Sequence, residues 1–194
     1  MRNKLSRPLA LVLLAGLIIF AGESPLAAQN GKPAYTSRLE ALGFQVFKAP
    51  IAVRDFSVQA LGGGEVKLSS FKGKIVILNF WATWCPPCKE EMPSIQTFWK
   101  ATKDKDLVIM AVSEGEKAST VSSFVKSRGF TYPFYLDESS VLGGQFSVQG
   151  IPTTFVFDKN GLVIARVVGG RAYDSPEVLA LFSELAAAPA SPAR

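Results

Sequence analysis

Trp84-Cys85-Pro86-Pro87-Cys88 holds the chain's only two cysteines, and its reading decides the fold. Two thiols separated by two residues can close a small disulfide when the second lies in the first turn of a helix. Upstream, Ile75-Val76-Ile77-Leu78-Asn79-Phe80-Trp81 is β-branched and apolar and reads as a buried strand. Downstream, residues 89–103 carry Met92, Ile95 and Trp99 at helical spacing. Strand, Cys-x-x-Cys and helix together turn a spacing into a dithiol–disulfide hypothesis.

The 194 residues are 48% hydrophobic and 19% charged, which suits one globular domain plus a tail. The net charge of +5 looks basic, but Arg2, Lys4 and Arg7 supply part of it near the start. What remains is too mild to argue for a nucleic-acid partner. Histidine is absent, so imidazole bases and His-containing metal sites are excluded. Two cysteines cannot complete a four-thiolate zinc site, and Lys89 stands where a Cys-x-x-Cys-His haem site needs histidine. Neither a metal nor another cofactor is therefore expected. The pair is left with dithiol–disulfide chemistry or an inert structural bridge. A bridge closing so short a loop gains little from loop entropy, which favours the redox reading.

Residues 1–28 read as a signal peptide or N-terminal membrane anchor, with a basic start and an apolar run inside residues 5–22. No clean cleavage site follows, so a retained anchor stays open. Either way the domain is expected outside the reducing cytosol. Residues 29–48 read as a linker or packing arm with a short helix over 37–42 ending at Gly43, residues 49–188 as the folded domain, and residues 189–194 as a disordered tail.

Short strands are expected at 55–59 and 65–68, joined by a turn at Gly62-Gly63-Gly64. No Lys-Ser/Thr follows these glycines, so a phosphate loop is not supported. A second buried strand spans 107–113. A helix capped by Ser119 or Thr120 runs to Arg128 and stops at Gly129. An extended segment at 132–136 and a short helix at 141–146 follow. Strands at 153–157 and 163–168 flank the hairpin signal Asp158-Lys159-Asn160-Gly161. Ser175-Pro176-Glu177 opens the last helix. A helix between the first buried strands implies a parallel pairing, and the hairpin adds antiparallel strands. The expected fold is α/β, a mixed central sheet with helices on both faces.

Asn79-Phe80-Trp81-Ala82-Thr83-Trp84-Cys85-Pro86-Pro87-Cys88-Lys89-Glu90-Glu91-Met92-Pro93 and Gly150-Ile151-Pro152-Thr153-Thr154-Phe155 carry a resemblance. From about residue 49 to 185, the chain resembles the thioredoxin-like fold, and more narrowly the exported thiol–disulfide oxidoreductases of the TlpA/ResA type. The resemblance implies that Cys85 is the exposed nucleophile and Cys88 the resolving thiol. It implies a cis bond at Pro152, with the Ile151 backbone pairing with substrate. Without it, a trans bond is the default.

Exchange requires a thiolate. Cys85 precedes a helix, whose amides and dipole favour an anion, and Lys89 adds a positive charge. Pro86 and Pro87 oppose this, because neither has an N–H to donate. The central histidine that the resemblance associates with strong exported oxidants is missing. A modestly acidic, reducing dithiol is expected. Glu91, three residues after Cys88, shares its helix face and reads as a proton shuttle. Thioredoxin-type proteins place a titrating Asp at the position of Asn79, which cannot titrate. Glu90 reads as solvated, Trp84 as an apolar substrate contact, and Trp81 as core. Pro93 is expected to kink its helix.

The resemblance implies a disulfide-containing exported protein as substrate, with reduction of apocytochrome c cysteines as one such role. It also implies a membrane thiol electron donor and a periplasmic location. An oxidase or isomerase is the alternative on the same chemistry. A thiol-based metal carrier or binding module is the alternative from another class, although the copper-delivering relatives of this fold use a wider cysteine spacing and a histidine. A peroxidase is disfavoured, because the motif lacks the threonine and arginine surroundings that thioredoxin-fold peroxidases use.

Overall fold

The computed structural model describes residues 33–191. The export segment, its anchor alternative and the last three residues of the tail lie outside the described residues. Within them, the chain runs α1 (Tyr35–Ala41), β1 (Gln45–Ile51), β2 (Ser57–Ala60), β3 (Glu65–Lys67), β4 (Ile75–Trp81) and α2 (Pro86–Thr102). It continues with β5 (Leu107–Glu114), α3 (Ala118–Arg128), β6 (Phe134–Asp137) and α4 (Val141–Gln145), then β7 (Thr153–Phe157), β8 (Val163–Val168) and α5 (Pro176–Ala187).

β4 is buried along its whole length, as its apolar run requires. It pairs parallel with β5 and antiparallel with β7. Among the described residues the sheet order is β1-β8-β7-β4-β5-β6-β2-β3. β6 also lies parallel to β5, reached through α3. The sheet is mixed, and the expected fold class is the one observed.

Alternation along β4 divides the core. Ile75, Ile77 and Trp81 pack on one face with residues of α1, α2, α3 and α5. Val76, Leu78 and Phe80 pack on the other with Leu142 of α4, Phe146, and Phe56 and Val58 around β2. Asn79, odd-numbered like Ile77, shares the α2 side of the strand, because side chains alternate with period two. That parity places the one polar residue of β4 on the face covered by the Cys-x-x-Cys helix.

Turn chemistry accounts for several element ends. Gly63 and Gly64 take positive φ (96° and 87°) and close the β2–β3 hairpin, with nothing within 4 Å of an added Cβ. Backbone freedom explains this triplet without any ligand. Asp158 Oδ1 accepts from the amides of Asn160 and Leu162, both at 2.9 Å, fixing the β7–β8 turn. Ser175 Oγ caps α5 by accepting from the Val178 amide at 3.3 Å, and Pro176 follows as the first helical residue.

Two details differ from the sequence reading. α3 begins earlier, at Ala118, and neither Ser119 nor Thr120 caps it. Its first amide is instead satisfied by Glu138 Oε1 at 3.1 Å, a partner twenty residues away that local patterning does not reveal. Second, of the two readings of residues 29–48, the described part is a packing arm and not a linker, and it contains the expected short helix. It forms α1 and most of β1, which pairs antiparallel with β8 as an edge strand.

Phe98 of α2 is fully buried, edge-on to Phe182 (5.6 Å between centroids) and to Tyr173 (6.1 Å). Phe98→Ala should destabilise the protein by about 3–5 kcal/mol, read as a lower denaturant midpoint with unchanged slope. A cost below about 1 kcal/mol would mean the face packs differently.

Candidate functional site

α2 begins shortly after β4 ends, so the dithiol sits beyond the C-terminal end of a central strand, at a helix N-terminus. Cys85 is itself the capping residue. Its φ and ψ are extended, and its Sγ accepts from the Cys88 amide at 3.3 Å. Sulfur thus does what a Ser or Asp oxygen does at an ordinary cap. Pro86 and Pro87 occupy the first two helical positions, where no amide is needed for the helix but none is offered to the sulfur. Cys88 supplies the available local donor, as the sequence suggested.

Cys85 and Cys88 are joined in a disulfide, with Cα atoms 5.3 Å apart. Cys88 is fully buried. Cys85 is only 2% exposed, which corrects the expectation of an exposed nucleophile for this oxidised state. The Ile151 carbonyl lies 3.6 Å from its Sγ and helps cover it. A disulfide sulfur has no proton, so this is a contact that reduction would convert into a donor–acceptor pair. The Ile151–Pro152 bond is cis, and the Pro152 carbonyl accepts from the Gly169 amide at 2.8 Å. Exposure belongs instead to Trp84, at 67%. Trp81 is core, against Phe124 and Phe134. Pro93 lies inside α2, which continues through it to Thr102.

Glu91 is 3% exposed on the same helix. Its Oε1 accepts from Asn79 Nδ2 at 2.9 Å, and its Oε2 accepts from the Arg171 amide at 3.2 Å. Asn79 and Thr154 are cross-strand neighbours in the β4–β7 register. The second Asn79 contact therefore reaches Thr154 Oγ1 at 3.0 Å, and Thr154 meets the Tyr173 hydroxyl at 2.8 Å. Burial raises the Glu91 carboxyl from 4.5 to about 7, against the opposing pull of Asn79, the Arg171 amide and the Arg171 charge. The Tyr173 hydroxyl is pushed well above its ordinary value, chiefly by burial, and stays neutral. Glu90, the solvated alternative, is exposed.

Sequence reasoning missed four members of this constellation. Thr154, Arg171 and Tyr173 come from strand register and a distant loop, and no spacing near the cysteines marks them. Glu116 is the fourth. It accepts from the Thr83 amide at 2.8 Å, from the Thr83 hydroxyl, and from Ser113 Oγ at 2.7 Å, tying down the loop that enters the dithiol. A Glu just after a buried strand was the available signal.

A family model described as "AhpC/TSA family" matches residues 51–166. The chain is 36% identical over 141 residues to "Thiol-disulfide oxidoreductase ResA" of Geobacillus kaustophilus, covering 68% of this chain and 81% of that protein. A solved structure titled as a putative thiol:disulfide interchange protein DsbE from Chlorobium tepidum superposes with a TM-score of 0.62 at 28% identity. The match covers 70% of this chain and 99% of that one. StoA from Bacillus subtilis gives 0.59 at 26% identity, covering 68% and 99%.

A carboxyl raised in the folded state lowers stability as pH climbs. Folded protein holds the proton from 4.5 to about 7, while unfolded chain releases it near 4.5. Oxidised wild type should therefore lose up to about 3 kcal/mol across that window relative to Glu91→Gln, then run parallel above it. Melting temperatures of the two proteins from pH 4 to 9 check this, and curves parallel throughout would refute it.

Proposed function

The chain belongs to the AhpC/TSA family and is a thiol–disulfide oxidoreductase of the ResA type, and on that premise we propose that it acts as an exported protein-disulfide reductant. The observation that carries this reading is the cap geometry. The Cys85 sulfur draws on the Cys88 amide while Pro86 and Pro87 withhold two others. A thiolate stabilised so modestly leaves the disulfide form comparatively favoured, so the dithiol gives up electrons readily. Glu91 reinforces the bias, because a negative charge near the pair opposes a second one.

In the proposed cycle, the Cys85 thiolate attacks a substrate disulfide, forming a mixed disulfide and releasing one substrate thiolate. Glu91, ionised in part at neutral pH, takes the proton of Cys88. The Cys88 thiolate then attacks Cys85 Sγ and releases the second substrate thiolate, leaving the Cys85–Cys88 disulfide. A membrane dithiol donor then reduces the pair by two electrons as it closes its own disulfide and releases its own protons to solvent, and Glu91 returns its proton to Cys88, which restores the Cys85 thiolate, the Cys88 thiol and the Glu91 carboxylate. Trp84 offers the substrate an apolar face, and the Ile151 backbone beside cis Pro152 aligns it.

Export rests on residues 1–28 as a signal or retained anchor, with residues 49–188 as the thioredoxin-like domain in the periplasm. Among the described residues, no helix is long and apolar enough to cross a membrane. Oxidised apocytochrome c is the proposed substrate. Its two cysteines need reduction before haem attachment.

Two measurements test this. Cys88→Ser should accumulate a mixed disulfide with an oxidised Cys-x-x-Cys-His peptide, and Cys85→Ser should not. Trapping by both variants or neither removes the assigned roles. The reduction potential should fall near the thioredoxin end, about −270 mV. A value near −120 mV, typical of strong oxidants, would make the protein an oxidase instead.

A further inference from the structure

Between β8 and α5 the backbone passes close to both the dithiol helix and the buried carboxylate. An added Cβ at Gly170 would stand 3.0 Å from the Pro87 carbonyl, so this strap lies against the first turn of α2. One residue on, the Arg171 amide donates to Glu91 Oε2 at 3.2 Å. Two residues further, the Tyr173 amide donates at 3.0 Å to Ser94 Oγ, whose hydroxyl donates to the Glu91 carbonyl at 2.7 Å. Three successive contacts therefore pin residues 170–173 along one side of the redox helix.

The Arg171 side chain leaves in another direction. Its guanidinium lies 4.3 Å from the ring centroid of Phe44 and 5.6 Å from that of Tyr173. Phe44 is edge-on to Phe182, Phe182 to Phe98, and Phe98 to Tyr173, so the two rings that flank the guanidinium belong to one aromatic chain. Among the described residues, Arg171 forms no ion pair, and its Nε is buried without a hydrogen-bond partner. Aromatic faces hold it, as suits a planar and weakly hydrated cation. Phe44 itself comes from the arm between α1 and β1, where its amide donates to the Leu39 carbonyl at 2.9 Å.

We infer that Arg171 is a positioning residue for the redox centre. Clamped on Phe44 of the N-terminal arm, it fixes the Gly170–Arg171 backbone against Pro87 and Glu91 and keeps a positive charge near that carboxylate. The arm thereby acts on the dithiol without touching it. Its functional consequence rests on the proton-transfer reading of Glu91.

The charge adds to the hydrogen bonds from Asn79 and the Arg171 amide, which do more against the desolvation of Glu91. Asn79 faces it from β4, and Tyr173 and Arg171 face it from the strap. Tyr132, ahead of β6, feels it as well. On α2 itself stand Cys88, Ser94, Lys89 and Glu90. Both tyrosines are neutral at ordinary pH, since burial raises them. Arg171 is the cation that pulls Glu91 downward.

The test follows Glu91 directly by carbon NMR of the labelled, oxidised full chain, its carboxyl signal assigned by loss in Glu91→Gln. Arg171→Met should raise the titration midpoint by roughly half a pH unit, since the charge is the least of the influences that lower it. Arg171→Lys, which keeps the charge, should stay close to wild type, and Phe44→Leu should move in the Met direction by less. A midpoint unmoved in folded Arg171→Met, or moved as far in Arg171→Lys, overturns the inference. Should Arg171→Met fail to fold, Phe44→Leu decides by the same criterion, with an unmoved midpoint overturning it. The pH–rate profile of disulfide exchange, run on the same variants, separates the two readings. A shifted Glu91 midpoint with an unshifted profile leaves the positioning role standing and removes the proton-transfer role.

Discussion

A carboxylate buried among apolar side chains persists only where donors reach it, and Glu91 depends on two. Asn79 reaches it from the middle of the central strand, and the Arg171 amide reaches it from the strap after β8. Much of the site follows from satisfying that one group. Asn79 must lie on the α2 side of β4, which fixes strand parity. Its amide must also reach Thr154, which requires the β4–β7 register observed. Thr154 then meets Tyr173, whose backbone returns to α2 through Ser94. The network begins and ends on the redox helix, so a shift of any one element would leave a buried polar atom unpaired.

The same burial that constrains the fold gives the carboxyl its chemistry. A solvated Glu three residues after Cys88 would be ionised throughout the neutral range and could accept no proton usefully. Raised to about 7, Glu91 populates both forms near neutrality. Asn79 serves here as a donor to the carboxylate, whereas a titrating Asp at that place would set two acids against each other. The dithiol and its proposed acid–base partner thus sit on one helix, and the strand beneath contributes a neutral support.

Much of this was legible in the sequence because it is local. The apolar run of β4, the Cys-x-x-Cys spacing, the helix after it and the Asp158–Gly161 turn each carry their own signal within a few residues. Glu91 was legible for the same reason, since helical periodicity alone puts it on the face of Cys88. What stayed hidden depends on register and long-range closure. Glu138 satisfies the start of α3, Glu116 holds Thr83, and Arg171 meets Phe44, and none of these pairs leaves a mark in local pattern. The burial of Cys85 was hidden too, because part of its cover is the Ile151 carbonyl, sixty-six residues away in sequence.

Phe44 shows where such reasoning about boundaries needs the structure. Composition around Pro33 and Pro50 suggested that the working domain starts near residue 49. A chain cut there would keep both cysteines, Glu91 and cis Pro152, yet lose α1, Phe44 and over half of β1. β8 would become a sheet edge, exposing unpaired backbone groups beside the residues that lead to the strap. Arg171 would lose its nearer ring, Phe182 would lose its Phe44 partner, and Leu39 would go from the same cluster. The arm is therefore part of the machine by packing, and the smallest unit that keeps the carboxylate's surroundings intact reaches back at least to α1.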